Sequence, residues 1–120
     1  PIDFKKAENT NFKQKRPALM TIYKNNNKYD KSNVFYNKKT LIYNKEIYDK
    51  KMNYIDYGLL ILNKKVLISN KKSIFSISSL FEKLSLKNLI AGHPVYKRFY
   101  EIGSIEGLKE TRKYLKNYEF

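Results

Sequence analysis

Tyr54-Ile55-Asp56-Tyr57-Gly58-Leu59-Leu60-Ile61-Leu62 is the stretch that decides the fold. It is apolar almost throughout, interrupted only by Asp56 and Gly58. A run of this length and content reads as a strand at the centre of a sheet. Upstream, Ala18-Leu19-Met20-Thr21-Ile22-Tyr23 is a second near-continuous apolar run, the pattern of a buried strand. Between them, Val34–Tyr36 and Leu41–Tyr43 flank Asn37-Lys38-Lys39 and predict a hairpin. Lys24–Lys31 and Asp49–Asn53 are polar connections.

Helical signals lie outside this group. Asp3 is placed to cap a helix running to about Lys15, with Phe4, Ala7 and Phe12 on one face and Pro17 beyond its end. Lys64–Lys72 is ambiguous, with a short helical turn as one reading. Ser76–Leu86 carries Ile77, Leu80, Phe81 and Leu84 at helical spacing, and Ser79 with Glu82 predicts a capping box. Leu89–Ala91 and Val95–Ile102 read as strands parted by Gly92-His93-Pro94. Ser104 then caps a last helix with Leu108 and Leu115 in phase, and Glu106 near its start suits the helix dipole. Strands mixed with helices predict an α/β chain with a mixed β-sheet and flanking helices. No internal repeat and no second domain are visible.

Composition narrows the function classes. The 120 residues suffice for one domain with a modest core. No cysteine is present, which excludes disulfides and thiolate metal sites and fits a reducing, cytoplasmic setting. No apolar run approaches a membrane span. The net charge of +14 invites a nucleic-acid reading, yet only Arg16, Arg98 and Arg112 among 25 basic residues are arginine. Nucleic-acid sites lean on arginine for bidentate contacts, so lysine scattered among Asn, Ile and Tyr argues for a solvated surface instead.

The most specific chemistry lies in Lys97-Arg98-Phe99-Tyr100-Glu101-Ile102-Gly103-Ser104. A carboxylate followed by glycine and a helix cap sits where ligands collect in open α/β sheets. It can hold a hard cation such as Mg²⁺, which prefers oxygen ligands and phosphate company. The plainer alternative is that Glu101 pairs with Lys97 or Arg98. His93, between Gly92 and Pro94, reads as a loop residue and not a catalyst.

Phe99-Tyr100-Glu101-Ile102-Gly103-Ser104-Ile105-Glu106-Gly107-Leu108 resembles the closing motif of bacterial NDP-sugar nucleotidyltransferases, with Ile105 where proline is usual. Met52–Leu59 and Leu89–Gly92 resemble the same family, nearest to its heptose- and mannose-1-phosphate guanylyltransferase branch. The likeness spans nearly the whole chain. It implies the C-terminal part of a Rossmann-like nucleotidyltransferase fold, transferring a nucleotidyl group from an NTP to a sugar 1-phosphate for polysaccharide biosynthesis. By resemblance, Glu101 falls on a metal-binding carboxylate that is often Asp. Lys45 falls on the lysine that contacts the sugar phosphate, and Asn44 on a sugar-contacting acidic position. Gly58 falls on the glycine that packs against the sugar ring, and Asp56 is a further candidate for that pocket. The family's Gly-rich phosphate loop and first metal-binding Asp have no counterpart here, and the chain opens on Pro1. Residues 1–120 are therefore expected to be the sugar-phosphate half of a domain whose nucleotide-binding half is missing, and to be inactive alone. Lys45, Gly58 and Glu101 are expected at one pocket mouth. The alternatives are a non-catalytic lysine-rich nucleic-acid-binding module and a degenerate relative that binds sugar phosphate without chemistry.

Overall fold

The Tyr54–Leu62 run forms one nine-residue strand, β4. A computed structural model describes residues 2–47, 49–70 and 74–118. Four further strands are β1 (Ala18–Lys24), β2 (Val34–Tyr36), β3 (Leu41–Tyr43) and β5 (Ile90–Val95). Their order, β3-β2-β4-β1-β5, puts β4 in the middle, as its length and apolar content predict, although β2 joins it at Tyr54 alone. β1 runs antiparallel to β4 and parallel to β5, so the sheet is mixed.

The two polar interruptions of β4 make a bulge. Met20 pairs with Leu60 but Ile22 pairs with Asp56, so Thr21 alone faces three residues of β4. The Thr21 hydroxyl fills the broken ladder, donating to the Leu59 carbonyl at 2.9 Å. Gly58 takes φ +91° there, a conformation that side chains resist, and its N–H reaches Asp56 Oδ1 at 2.8 Å.

Alternation along β1 sorts the core. Ala18, Met20 and Ile22 point to one face and meet Val34, Leu41, Tyr43, Ile90 and helix α3 (Ile77–Leu86) through Phe81 and Leu84. Leu19 points to the other and meets Ala91 with Ala7 of helix α1 (Phe4–Gln14). Covered on both faces, β1 is buried over its first five residues.

The β2–β3 hairpin does not continue the sheet edge flatly. Val34↔Tyr54 is the one β2–β4 pair in the register, and β3 comes into contact with β5. Arg16 holds the hairpin across the face, donating to Ile90 O at 2.8 Å and to Lys39 O at 2.9 Å. The Tyr36 ring lies on Gly92, where a Cβ would come 2.5 Å from the ring. Gly92→Ala is therefore expected to cost about 1–3 kcal/mol by overpacking. Urea denaturation checks this, and the cost should shrink in a Tyr36→Ala background. Equal costs in both backgrounds would place the strain elsewhere.

Helices start on local caps, with three corrections. Asp3 caps α1 by accepting from Lys6 N at 3.0 Å, and Asn63 caps the short α2 (Lys64–Ser69). The ambiguous 64–72 stretch is thus helical to Ser69; residues 71–72 lie outside the described residues. The capping box at Ser79 and Glu82 does not form. Ser76 is the last extended residue before α3, so its side chain takes the cap and accepts from Ser79 N. Strands 89–91 and 95–102 are replaced by β5, which runs straight through Gly92-His93-Pro94. β5 is an edge strand, where a proline without an N–H is tolerated. His93 is accordingly a strand residue, 2.9 Å from Thr10 Oγ1 through Nδ1, and partial burial lowers its pKa. Ser104 caps α4 (Ile105–Leu115), its hydroxyl oxygen accepting from Gly107 N at 2.9 Å, as expected. Among the described residues no helix is long and apolar enough to cross a membrane.

Candidate functional site

The chain leaves β5 at Val95 and returns over the end of the sheet on aromatic side chains. Phe99 meets Tyr23, Tyr29 and Tyr57 edge-on, with ring centroids about 6 Å apart. The Tyr57 hydroxyl donates to Arg98 O at 3.4 Å. The Arg98 guanidinium lies over Tyr29 at 3.9 Å and Tyr100 at 4.3 Å and pairs with Glu110. Tyr100 stacks on Tyr114 of α4 at 4.0 Å. These contacts hold Glu101 beyond the C-terminal ends of the parallel pair β1 and β5 and just before α4.

The Glu101 carboxylate is tied to the turn that follows it. Oε2 accepts from Gly103 N at 2.6 Å and from Ser104 N at 3.1 Å, and Oε1 accepts from the Ser104 hydroxyl at 2.6 Å. The Ser104 hydroxyl, then the two backbone N–H groups, hold its pKa below the ordinary glutamate value. The nearby α4 N-terminus favours the same charged state. Glu101 pairs with neither Lys97 nor Arg98: the guanidinium is taken by Glu110. The carboxylate borders a cleft of about 360 Å³ that also receives Lys28, Tyr29, Arg98 and Ser104.

The other expected site residues stand elsewhere. Asn44 follows β3 and closes a turn, accepting from Glu46 N at 2.9 Å and Ile47 N at 2.8 Å. It borders a cavity of about 590 Å³ between β3, α2 and α3, beside Val66, Leu80 and Glu82. Lys45 is exposed on that turn, its backbone N–H held by Glu82 Oε1 at 3.1 Å. Asp56 and Gly58 belong to the β4 bulge, and a Cβ added at Gly58 would meet open space. Of Lys45, Gly58 and Glu101, expected at one pocket mouth, only Glu101 borders either cavity. The two cavities share no residue, and neither is bordered by Lys45, Asp56 or Gly58. The hairpin carries Lys45 to the face bearing α3, whereas Tyr57 and Phe99 carry Glu101 to the sheet's end.

Sequence reasoning missed Tyr29 and Gly107 as parts of the Glu101 environment, and it offered Arg98 there as an ion-pair partner of Glu101, whereas the guanidinium lies on Tyr29 and Tyr100 and pairs with Glu110. Gly107 left a signal: glycine is a poor helix former, and it sits in the first turn of a capped helix. Among the described residues no group of three or more His, Cys, Asp or Glu could by itself hold a metal. Glu101 fits Mg²⁺ as one oxygen ligand, since such sites take one or two carboxylates and complete themselves with phosphates. Compared with protein-family models and with curated proteins, the chain finds no match in either.

Proposed function

We propose that this chain is the sugar-phosphate half of a sugar-1-phosphate nucleotidyltransferase, working in the cytoplasm and inactive without its nucleotide-binding half. The observation that carries the reading is the Glu101 turn. The segment resembling the family's closing motif holds one charged carboxylate at a helix start, beside a cleft open to solvent. The edge of β4 supports the second part. Past Tyr54 no described strand pairs with its second side, and Leu59–Leu62 stay only half-buried although wholly apolar. Phe4 and Phe12 of α1 are also exposed. Unpaired edges and apolar faces of this kind suit a chain that another half of the domain covers.

In the proposed reaction a phosphate oxygen of the sugar 1-phosphate attacks the α-phosphorus of an NTP. The new O–P bond forms as the α–β bridge breaks, and pyrophosphate leaves. The attacking oxygen is already ionised, so no general base is required. Glu101 would be one ligand of Mg²⁺, which when bound offsets charge on the phosphates. Lys45 would orient the sugar phosphate. It stands apart from Glu101 in this chain, so the two roles need separate tests.

Pyrophosphate release tests the reading. The chain alone, given Mg²⁺, a hexose or heptose 1-phosphate and GTP, CTP, UTP or dTTP, is expected to release none. A protein joining the nucleotide-binding half to this chain is expected to release it with Mg²⁺. Release by the chain alone overturns the half-site reading. Silence of the joined protein with all these substrates overturns the transferase reading.

A further inference from the structure

We infer that Gly107 is a positioning residue for Glu101: the missing Cβ at 107 is what lets the Glu101 carboxylate lie on the first turn of α4. A Cβ built on Gly107 overlaps Glu101 Oε1 and Cδ and comes 2.8 Å from the Glu101 carbonyl oxygen. Gly107 is buried and its N–H is already committed to Ser104 Oγ at 2.9 Å, so its backbone has little freedom to withdraw. Thr111 Oγ1 donates to the Glu101 carbonyl at 2.9 Å and pins that side as well.

The arrangement has a chemical consequence. An ionised carboxylate offers about four lone-pair positions. Gly103 N, Ser104 N and the Ser104 hydroxyl occupy three of them. That leaves at most one position, on Oε1, so Glu101 would serve a cation only as a monodentate ligand. The longer glutamate and the bare glycine form one unit. A side chain at 107 displaces the long acid from the turn; a shorter acid at 101 relieves the carboxylate overlap but not the contact with the carbonyl oxygen. What the carboxylate is for rests on the proposed function; how it is held does not.

The test therefore uses no transferase assay. In the chain labelled with ¹⁵N and ¹³C, couplings across the hydrogen bonds from the Gly103 and Ser104 N–H groups to the Glu101 carboxyl carbon are expected. Gly107→Ala is expected to abolish those couplings and to lower the melting temperature. In a Glu101→Asp background the carboxylate withdraws from position 107. There Gly107→Ala should cost less, leaving the penalty of the 2.8 Å approach to the carbonyl oxygen of residue 101, offset in part because alanine favours a helix. A Gly107→Ala chain that fails to fold, while the double variant Glu101→Asp with Gly107→Ala folds, gives the same support. Couplings from Gly103 and Ser104 to the Glu101 carboxyl that persist in Gly107→Ala, or an equal melting penalty in both backgrounds, overturn the inference. Neither result bears on pyrophosphate release, so either proposal can fall while the other stands.

Discussion

Glu101→Ala in the joined protein is expected to lower NDP-sugar formation about 100-fold or more, since even groups that merely support a metal ligand are worth 10–100-fold. The fold should survive. Glu101 is half-buried at the rim of the cleft, and the Ser104 cap on Gly107 N does not depend on it. Steady-state kinetics at saturating Mg²⁺, with circular dichroism as the control for folding, measure both. A variant with wild-type kcat would reduce Glu101 to a turn-former and remove the metal role. Lys45→Ala in the same assay should raise KM for the sugar 1-phosphate about tenfold with kcat held, because its ammonium is exposed and screened. An unchanged KM leaves Lys45 a surface charge. The pH dependence has a definite sign. Glu101 has its pKa lowered on folding, chiefly by the Ser104 hydroxyl and then by the N–H groups of residues 103 and 104. Its contribution to stability is therefore present above its unfolded pKa and is lost as pH falls through the lowered folded value. Melting of the Glu101→Ala chain should lack that part of the acid-side decline.

Phe81→Ala is expected to have the largest effect on stability, about 3–5 kcal/mol. Phe81 is 1% exposed and is the largest fully buried side chain. From α3 it packs into the cluster that includes Met20, Ile22, Val34 and Ile90. Its removal opens a cavity between the helix and the sheet, and the hairpin loses its support with it. Domains of this kind have a total stability of only about 5–15 kcal/mol, so a large share would go. Urea denaturation of the chain gives the number. Phe12→Ala serves as the contrast: with Phe12 68% exposed, its loss should stay within about 0.5 kcal/mol. Equal effects at the two positions would mean that α3 does not close the core as described.

What could be read directly was set by neighbours in sequence. Apolar runs marked β1 and β4, and their length placed β4 at the centre. Asn37-Lys38-Lys39 marked the hairpin, and Asp3 and Ser104 announced their helices, because a cap bonds its own first turn. The acid, glycine and serine of 101–104 were visible as a turn for the same reason. Where local signals misled, a distant partner had decided. Gly92-His93-Pro94 reads as a break, yet β1 pairs along all three residues, and Gly92 is the space into which the Tyr36 ring fits. Val95–Ile102 reads as a strand, yet Arg98 and Phe99 are drawn onto tyrosines from three separate stretches of chain.

By itself, then, the sequence determined the mixed α/β content, the central strand, the last helix and the acid that precedes it. These depend on periodicity and on hydrogen bonds spanning three or four residues. Only the tertiary structure decided that the hairpin crosses the sheet under Arg16, carrying Lys45 to one side while Phe99 holds Glu101 on another. It also decided that position 107 must be bare beneath a glutamate. Both are matters of which side chains occupy the same space, and that depends on folding having already brought distant segments together.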